Sequence, residues 1–578
     1  MLLVYGPRSL DYDFGSAHLL TPRRFGPGID LLRALGAQPG LSPEPATDAE
    51  LRLCHSRHYL DVVKRFSADP YGNPQAGIGD GSDNPPFAEM HEAAAAVAGG
   101  SLRAVEAILR GDVEHAQHPG GGLHHAMADH ASGFCIYDDP ALAIARARAD
   151  GLRVLYLDLD VHHGDGVQAL HWSDPGVLTF SIHESGRTLF PGTGDVDEIG
   201  GGVAAGTSLN IPVPAGTGAA AWGTILRSLL PEVAATFGPD LIVSQHGADS
   251  HTWDPLAHLN VTTTEMGEAA RLVDTLAHAH AGGRWLATGG GGYDAYRVVP
   301  RAWALTWLAG AHREVPAATP AAWRGRWASE AARYGQAPLP ATFDDPSLDR
   351  PLTGGLDTID RRALEVAALV RRVLVPRLVR VARERGWFDA LVPAADRMAA
   401  APLPSATSPS LVGAVELAAW ERLTLAPSVV APASAATAHG LLAAALVDGA
   451  LITAAIQGST VVGAVVSGPP EAMDAHRALL AVGVGPAWRR SGLATAMLAA
   501  HMEAIGARDG HVDIDAEISV AERDVLEPID PTDRASVAER LLSRAGFTVA
   551  PASADVRRID PRAIVAMRSV RSVRGADR

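Results

Sequence analysis

The apolar run Val154-Leu155-Tyr156-Leu157 reads as a buried strand, and it ends in Asp158-Leu159-Asp160-Val161-His162-His163-Gly164-Asp165-Gly166. Ordinary packing does not account for this, because an unpaired buried carboxylate carries a large desolvation cost. A metal ion is the simplest compensating partner. Asp160 and His162 alternate at i and i+2, so both side chains leave the strand on one face. One carboxylate and one imidazole toward a Zn²⁺-type ion require a third ligand from elsewhere in the chain.

The surrounding sequence sets the fold class. From residue 1 to about 315, strand-like runs (Val154–Leu157, Val177–Ile182, Leu241–Ser244, Trp285–Thr288) alternate with Ala-rich amphipathic stretches at 89–110, 138–149, 218–236 and 264–281. Such alternation predicts an α/β domain with a mostly parallel sheet flanked by helices, in which ligands bind beyond the carboxyl ends of the strands. Met1–Gly6 reads as a first strand, since it lacks the charged and long apolar regions of a signal peptide.

At 578 residues two or three domains are expected. A formal charge of −16 argues against a general nucleic-acid binder. Cys54 and Cys135 are the only cysteines, so no disulfide framework is implied, and a cytoplasmic location fits. No apolar run has the length of a membrane span.

Beyond the first domain, 316–410 reads as a peripheral helical segment followed by a linker. Within 358–386, Val366, Leu369, Val370, Val373 and Leu374 recur at helical spacing, and Pro376 is expected to interrupt the helix. The Pro/Ala/Ser-rich stretch Ala401–Ser410 is the linker. A second, smaller α/β (α+β) domain occupies 411–560, with a hairpin Leu451–Ile456 and Val461–Val466 joined through Gly458-Ser459, then an apolar strand Leu479–Val484. Residues 561–578 read as a basic, solvated tail.

Other polar clusters fall at strand ends of the first domain. They are Gly120-Gly121-Gly122-Leu123-His124-His125; His246-Gly247-Ala248-Asp249, which can supply the missing carboxylate; and Gly289-Gly290-Gly291-Gly292-Tyr293, where glycines leave room for backbone around one phenol. Together with Ala131-Ser132-Gly133-Phe134-Cys135, Asp158–Gly166 and Phe190-Pro191-Gly192-Thr193-Gly194-Asp195, these segments resemble the arginase-fold histone deacetylase superfamily, in particular its bacterial acetoin-utilisation branch. The resemblance covers residues 1 to about 312 in order and spacing. It implies hydrolysis of an N-acetylated amine, with Asp160, His162 and Asp249 as ligands of Zn²⁺ or Fe²⁺. It further implies His125 as the base that takes a proton from the attacking water, and His124 as its hydrogen-bonding and electrostatic partner. Asp158 and Asp165 would orient those histidines, and Tyr293 would donate to the oxyanion. Gly133, Phe134, Phe190 and Leu256 match channel walls, Asp83 the substrate-binding rim, and Arg24 an acetate-release cavity. A structural K⁺ would take Asp158, Asp160, His162, Ser181 and Ile182, with a distal site near His171, Asp174 and Val177. Asp138 replaces an asparagine common in the family. His163 is given only a supporting or packing role.

The segment Pro486-Ala487-Trp488-Arg489-Arg490-Ser491-Gly492-Leu493-Ala494 resembles the acetyl-CoA-binding motif of GNAT acetyltransferases, and Leu541–Phe547 resembles their late helix-to-strand motif. A tight turn there would aim backbone N–H groups at a pyrophosphate. The resemblance implies acetyl-CoA contacts from Val482, Val484, Arg489, Arg490, Gly492 and Ala494. Leu542 stands where many relatives place a tyrosine, and Asp513, Asp515 and Glu517 are unranked candidates for a general base. The expected whole is a zinc-dependent lysine deacetylase acting on a bacterial protein such as an acyl-CoA synthetase, with an acetyl-CoA-binding or acetyltransferase domain appended. The alternative is an acetylpolyamine or other small-molecule deacetylase whose C-terminal module only binds or dimerises.

Overall fold

A computed structural model describes residues 1–345 apart from 80 and 82, residue 348, residues 358–385, and beyond them a set of short stretches between 424 and 570. The chain divides into two compact units, one of Met1–Leu230 with Gly238–Val370 and one of Pro231–Phe237 with Arg371–Arg578.

In chain order the first elements are β1 (Leu2–Val4), α1 (Phe25–Ala34), β2 (Pro39–Leu41), α2 (Asp48–Leu51), α3 (Arg57–Ala68), α4 (Met90–Leu109), β3 (His115–His118), α5 (Asp139–Ala149), β4 (Val154–Asp158), α6 (Asp165–Leu170) and β5 (Val177–Glu184). They continue with β6 (Ser208–Val213), α7 (Ala219–Phe237), β7 (Leu241–Gln245), α8 (Thr263–His280), β8 (Trp285–Thr288), α9 (Val299–Gly310), α10 (Ala321–Arg333), α11 (Thr358–Val373) and α12 (Val375–Glu384). The eight strands form one sheet in the order β2-β1-β3-β8-β7-β4-β5-β6, every pair parallel.

Strands β4, β5, β7 and β8 are buried along their whole length, as near-continuous Val/Leu/Ile runs require when helices cover both faces. Parallel pairing also demands long crossovers, and the Ala-rich stretches supply them as α4, α5, α7 and α8. The consequence for function lies in the strand order. β3, β8, β7 and β4 are consecutive neighbours, so the segments leaving their carboxyl ends meet in one place.

Two expectations are corrected. The stretch from 316 to 345 is not peripheral: Trp323, Leu339 and Phe343 are buried in one cluster with Phe25, Trp303 and Tyr296. Abundant Pro, Trp and Arg suggested surface, but the tryptophans pack inward and Arg324 is held by backbone carbonyls. On α11 Ala363, Leu364, Ala367, Val370 and Arg371 are buried, as is Leu374 just past its end, whereas Leu369 is exposed. The helix breaks at Leu374, so Pro376 falls in the first turn of α12, where its missing N–H has no helical partner to lose.

In the second unit, strands β9 (Thr424–Leu425), β10 (Leu451–Gln457), β11 (Thr460–Ser467), β12 (His476–Val484), β13 (Val512–Ile518), β14 (Thr548–Pro551) and β15 (Ile564–Val570) form a sheet in the order β10-β11-β12-β13-β15-β14, with β9 beside β11. The hairpin of β10 and β11 pairs Gln457 with Thr460; the expected turn residues Gly458 and Ser459 lie outside the described residues. Residues 564–570 are strand, not solvated tail: β15 pairs antiparallel with β13 and β14. β12 and β13 are parallel, and pair only over His476–Ala478 and Asp513–Asp515. Their remaining residues pair with outer neighbours. Ala401–Ser410, Arg489, Arg490, Gly492, Ala494 and Leu541–Phe547 lie outside the described residues.

Candidate active site

Each of the four consecutive strands delivers part of one buried cluster. β4 leads into Asp160 and His162, and the segment after β7 brings Asp249 to them. His162 Nδ1 lies 3.0 Å from Asp160 Oδ1 and 3.1 Å from Asp249 Oδ2. One ligand atom from each of the three residues lies within 4.8 Å of the others. All three side chains are buried. Two desolvated carboxylates converge on one imidazole, an arrangement that favours positive charge at its centre. With no cation there, burial opposes a proton on His162, yet the two carboxylates outweigh it and raise the ring to about 10. Burial and the neighbouring Asp160 carboxylate push Asp249 up to about 6. The donor set of two carboxylates and one imidazole fits a divalent cation and leaves coordination positions free.

The carboxylates are held from behind. Gln245 donates to Asp160 Oδ2 at 2.6 Å, the Gly291 amide to the same oxygen at 2.9 Å, and the Val161 amide to Asp249 Oδ1 at 3.0 Å. A Cβ on Gly291 would collide with the Asp249 carboxylate and crowd that of Asp160, so the glycine run after β8 is what lets backbone pass this close.

The histidine pair follows β3. Asp139 fastens its loop by accepting from the Gly122 and Leu123 amides and from the Ser101 hydroxyl. His124 Nδ1 lies 2.8 Å from Asp158 and His125 Nδ1 lies 2.7 Å from Asp165, with the two rings 4.1 Å apart. So close a pair cannot both be protonated. Burial opposes charge on each, but Asp158 and Asp160 overcome it at His124 and raise it to about 10. Burial and then the charge on His124 bring His125 down to about 4. The neutral ring is thus His125, with Nδ1 tied to Asp165 and Nε2 left for a proton. The Asp165 carboxylate is the main counterweight, so Asp165→Asn is expected to lower kcat/KM about 10- to 100-fold. The acid limb of its pH–rate profile should also move to lower pH, because the influence that raises His125 is lost. A limb that stays in place or moves up would contradict this coupling.

Tyr293 follows β8 and lines the same cavity, of about 280 Å³, with His124, His125, Gly133, Phe134, Asp160 and His162. Burial and the nearby Asp249, Asp160 and Asp254 carboxylates push its phenol well above its usual range, so it remains a donor. Its backbone is clamped: the amide donates to Asp254 Oδ2 at 2.8 Å and the carbonyl accepts from Gln336 at 3.1 Å. Gly133 and Phe134 both have positive φ, a left-handed turn that sets the Phe134 ring 6.0 Å from Tyr293. Phe190 stands half exposed with its ring 5.1 Å from His125.

The remaining predicted positions distribute less tightly. Arg24 is buried, donates to the Gly290 carbonyl at 2.7 Å, and lines an adjoining cavity of about 420 Å³. Leu256 is half buried and donates its amide to Asp254. Asp83 is exposed, and its carbonyl lies 3.2 Å from His18 Nε2. Asp158 and Ser181 are paired in the β4–β5 register, which puts the proposed K⁺ residues side by side. At the distal position, both Asp174 oxygens already accept from Arg148. Asp138 caps α5 by accepting from the Ala141 amide. His163 is buried between Thr193 and Gln168. Val482 and Val484 lie at the end of β12. Sequence reasoning missed Gln245, Gln336 and Tyr156, whose hydroxyl donates to Asp158 at 2.8 Å. Tyr156 carried a signal, standing two residues before Asp158 on the same strand face.

Comparison with known proteins agrees with this geometry. The histone deacetylase domain profile matches residues 18–309. The acetoin utilization protein AcuC of Bacillus subtilis (strain 168) is 45% identical over 314 residues, which is 53% of this chain and 81% of that protein. The AcuC protein of Staphylococcus xylosus is 35% identical over 349 residues, 59% of this chain and 90% of its own length. The crystal structure of an HDAC homologue complexed with SAHA covers 64% of this chain and 99% of that one, at a TM-score of 0.56 and 29% identity. An HDAC homologue from Aquifex aeolicus matches at the same TM-score of 0.56 and covers 63% of this chain and 99% of its own.

Proposed function

The chain belongs to the histone deacetylase family, and from that premise we propose that it releases acetate from N-acetyl-lysine in a protein substrate. The observation that carries the reading is the convergence of Asp160, His162 and Asp249, the His124–His125 pair and Tyr293 on one cavity walled by Gly133, Phe134 and Phe190. Apolar rings beside the cavity suit the four methylenes of a lysine stem, and the exposed Asp83, whose carbonyl lies 3.2 Å from His18 Nε2, would take the substrate backbone.

When bound at Asp160, His162 and Asp249, a divalent cation such as Zn²⁺ or Fe²⁺ supplies Lewis acidity toward the amide carbonyl and the attacking water. His125, neutral and steadied by Asp165, takes the proton from that water and later gives it to the leaving amine. His124, held charged by Asp158, adds positive potential beside the developing oxyanion. Tyr293 donates its hydroxyl to the same oxygen from a backbone fixed by Asp254 and Gln336. Arg24 lines the cavity that would receive acetate. A K⁺ at Asp158, Asp160, His162, Ser181 and Ile182 would steady the strand ends.

The competing substrate class is an acetylpolyamine, since the hydrolytic chemistry is the same. Side-by-side acetate release from an acetyl-lysine peptide and from acetylputrescine separates the two. Higher kcat/KM on the peptide, reduced by Asp83→Ala on that substrate alone, is expected. Faster polyamine turnover would overturn the protein-substrate reading.

For the second unit the reading is an acetyl-CoA-binding, GNAT-like domain. The parallel β12 and β13 part company after Ala478 and Asp515, and such a divergence between strands at their carboxyl ends is where open sheets take ligands. The sequence that leaves β12 at that end is the Pro486–Ala494 segment with Arg489, Arg490 and Gly492. Saturable acetyl-CoA binding to the full chain by calorimetry, lost in Arg489→Ala, supports it; no saturable binding leaves only a packing or dimerisation module.

A further inference from the structure

At the amino-terminal end of the large sheet, away from the strand ends that build the active site, four side chains from three separate elements point at one another. His115 opens β3, Asp274 and His278 lie one turn apart on α8, and His312 follows the end of α9. His115 Nε2 and His278 Nε2 are 3.1 Å apart, as are His278 Nε2 and His312 Nε2, and His312 Nε2 and Asp274 Oδ1. Asp274 Oδ1 is 3.3 Å from His115 Nε2 and 3.6 Å from His278 Nε2. All four ligand atoms lie within 4.8 Å of each other.

We infer that His115, His278, His312 and Asp274 form a second metal site, a closed three-histidine, one-carboxylate shell for a Zn²⁺-class divalent cation. A tetrahedron with metal–ligand bonds of about 2.0–2.1 Å has edges of about 3.3–3.4 Å, and the five separations above bracket that length. The rings are arranged to match, with centroids 5.0, 5.1 and 5.3 Å apart, so the three histidines form a nearly equilateral cap with every Nε2 turned inward. A hydrogen-bonded network gives a poorer account. An imidazole nitrogen is either a donor or an acceptor, and His278 Nε2 would have to serve two other ring nitrogens at equal distance. Four lone pairs aimed at a single cation need no such compromise.

Two local features fit a site rather than a chance cluster. His115 is buried and its Nδ1 has no hydrogen-bond partner among the described residues, so the contacts seen on the ring run through Nε2. His312 sits at φ +52°, in the left-handed position just past α9 where glycine is usual, and its amide donates to the Ala309 carbonyl. That conformation swings its ring back over α8. His278 and His312 are partly exposed, which gives the ion a way in. Four protein ligands leave no open position, so the role is structural: the cation would pin α8 and α9 to the start of β3. Imidazole-rich sites of this kind also accept Co²⁺ and Ni²⁺.

The test uses the full-length chain carrying His162→Ala, which disables the active-site cluster and leaves the second one intact. After chelation and dialysis, this variant is expected to bind one equivalent of Co²⁺ with the intense visible absorption of a tetrahedral site, and to gain thermal stability on binding. Adding His278→Ala and His312→Ala should abolish both. If that triple variant fails to fold by circular dichroism, His312→Gln in the same background decides, with at least a tenfold loss of affinity expected. Absence of stoichiometric Co²⁺ binding by the His162→Ala chain, or binding unaltered by the His278 and His312 substitutions, would overturn the proposal and leave a hydrogen-bonded histidine cluster.

Discussion

Tyr293→Phe is expected to lower kcat for acetate release about 10²- to 10³-fold while KM and thermal stability stay near their wild-type values. The reasoning is geometric. Tyr293 lines the cavity beside Asp160 and His162, and its hydroxyl has no hydrogen-bond partner among the described residues. Its backbone, by contrast, is held by Asp254 and Gln336. Removing the oxygen therefore takes away a donor aimed at the substrate and leaves the loop in place. The ring still packs against Phe134. A donor that acts on charge developing in the transition state affects kcat more than KM. An equal loss in substrate binding and turnover would assign Tyr293 to general positioning instead.

Asp249→Asn should be the more severe change, with acetate release falling by about 10³-fold or more and the active-site cation lost. A neutral amide is a poor ligand beside a carboxylate, and the Lewis acid contributes several kcal/mol of barrier lowering, each 1.36 kcal/mol being about tenfold. The stability of the metal-free chain follows a different balance. Burial and Asp160 raise the Asp249 carboxyl to about 6, so the folded state loses stability as pH rises from the ordinary carboxylate range to about 6, and the loss is complete at pH 7. Asparagine removes that like-charge contact and can still accept from the Val161 amide. Asparagine also gives up the charge that faces protonated His162 at 3.1 Å, so the two effects oppose each other and metal-free Asp249→Asn should melt close to metal-free wild type at pH 7, which separates loss of chemistry from loss of fold. A marked drop in melting temperature would contradict the electrostatic reading.

How much of this was legible in the sequence depends on the range of the interaction. The strands β4, β5, β7 and β8 each end within a residue or two of the expected bounds, because a buried run stopped by Gly, Asp or His is a local signal. The polar clusters at those ends were equally visible. Their convergence was not local, since it follows from β3, β8, β7 and β4 being neighbours in the sheet. The same applies to the supporting shell. Gln245 reaches Asp160 because β7 lies beside β4 in a register that pairs it with Asp158. Gln336 reaches Tyr293 across 43 residues, from a stretch whose composition suggested surface. The four residues of the second cluster are spread from 115 to 312 and share no motif spacing beyond the one turn between Asp274 and His278.

In the second unit the short-range hairpin was visible, whereas strand β15 was hidden by the arginines around it, a composition that reads as solvated until the pairing with β13 is known. Helix α11 shows the complementary limit. Leu369 matched the helical period but stands exposed, since the buried stripe turns through Leu364, Ala367, Val370 and Leu374.

The central claim is that acetyl-amide hydrolysis depends on a cation held by Asp160, His162 and Asp249. It is tested most directly by measuring acetate release from an acetyl-lysine peptide by the full-length chain before chelation, after it, and after restoring Zn²⁺, with Asp249→Asn in parallel. Activity lost on chelation, regained with Zn²⁺ in the wild type and never regained in the variant is the expected result. Acetate release that survives chelation, or that the variant carries out at the wild-type rate, would contradict it.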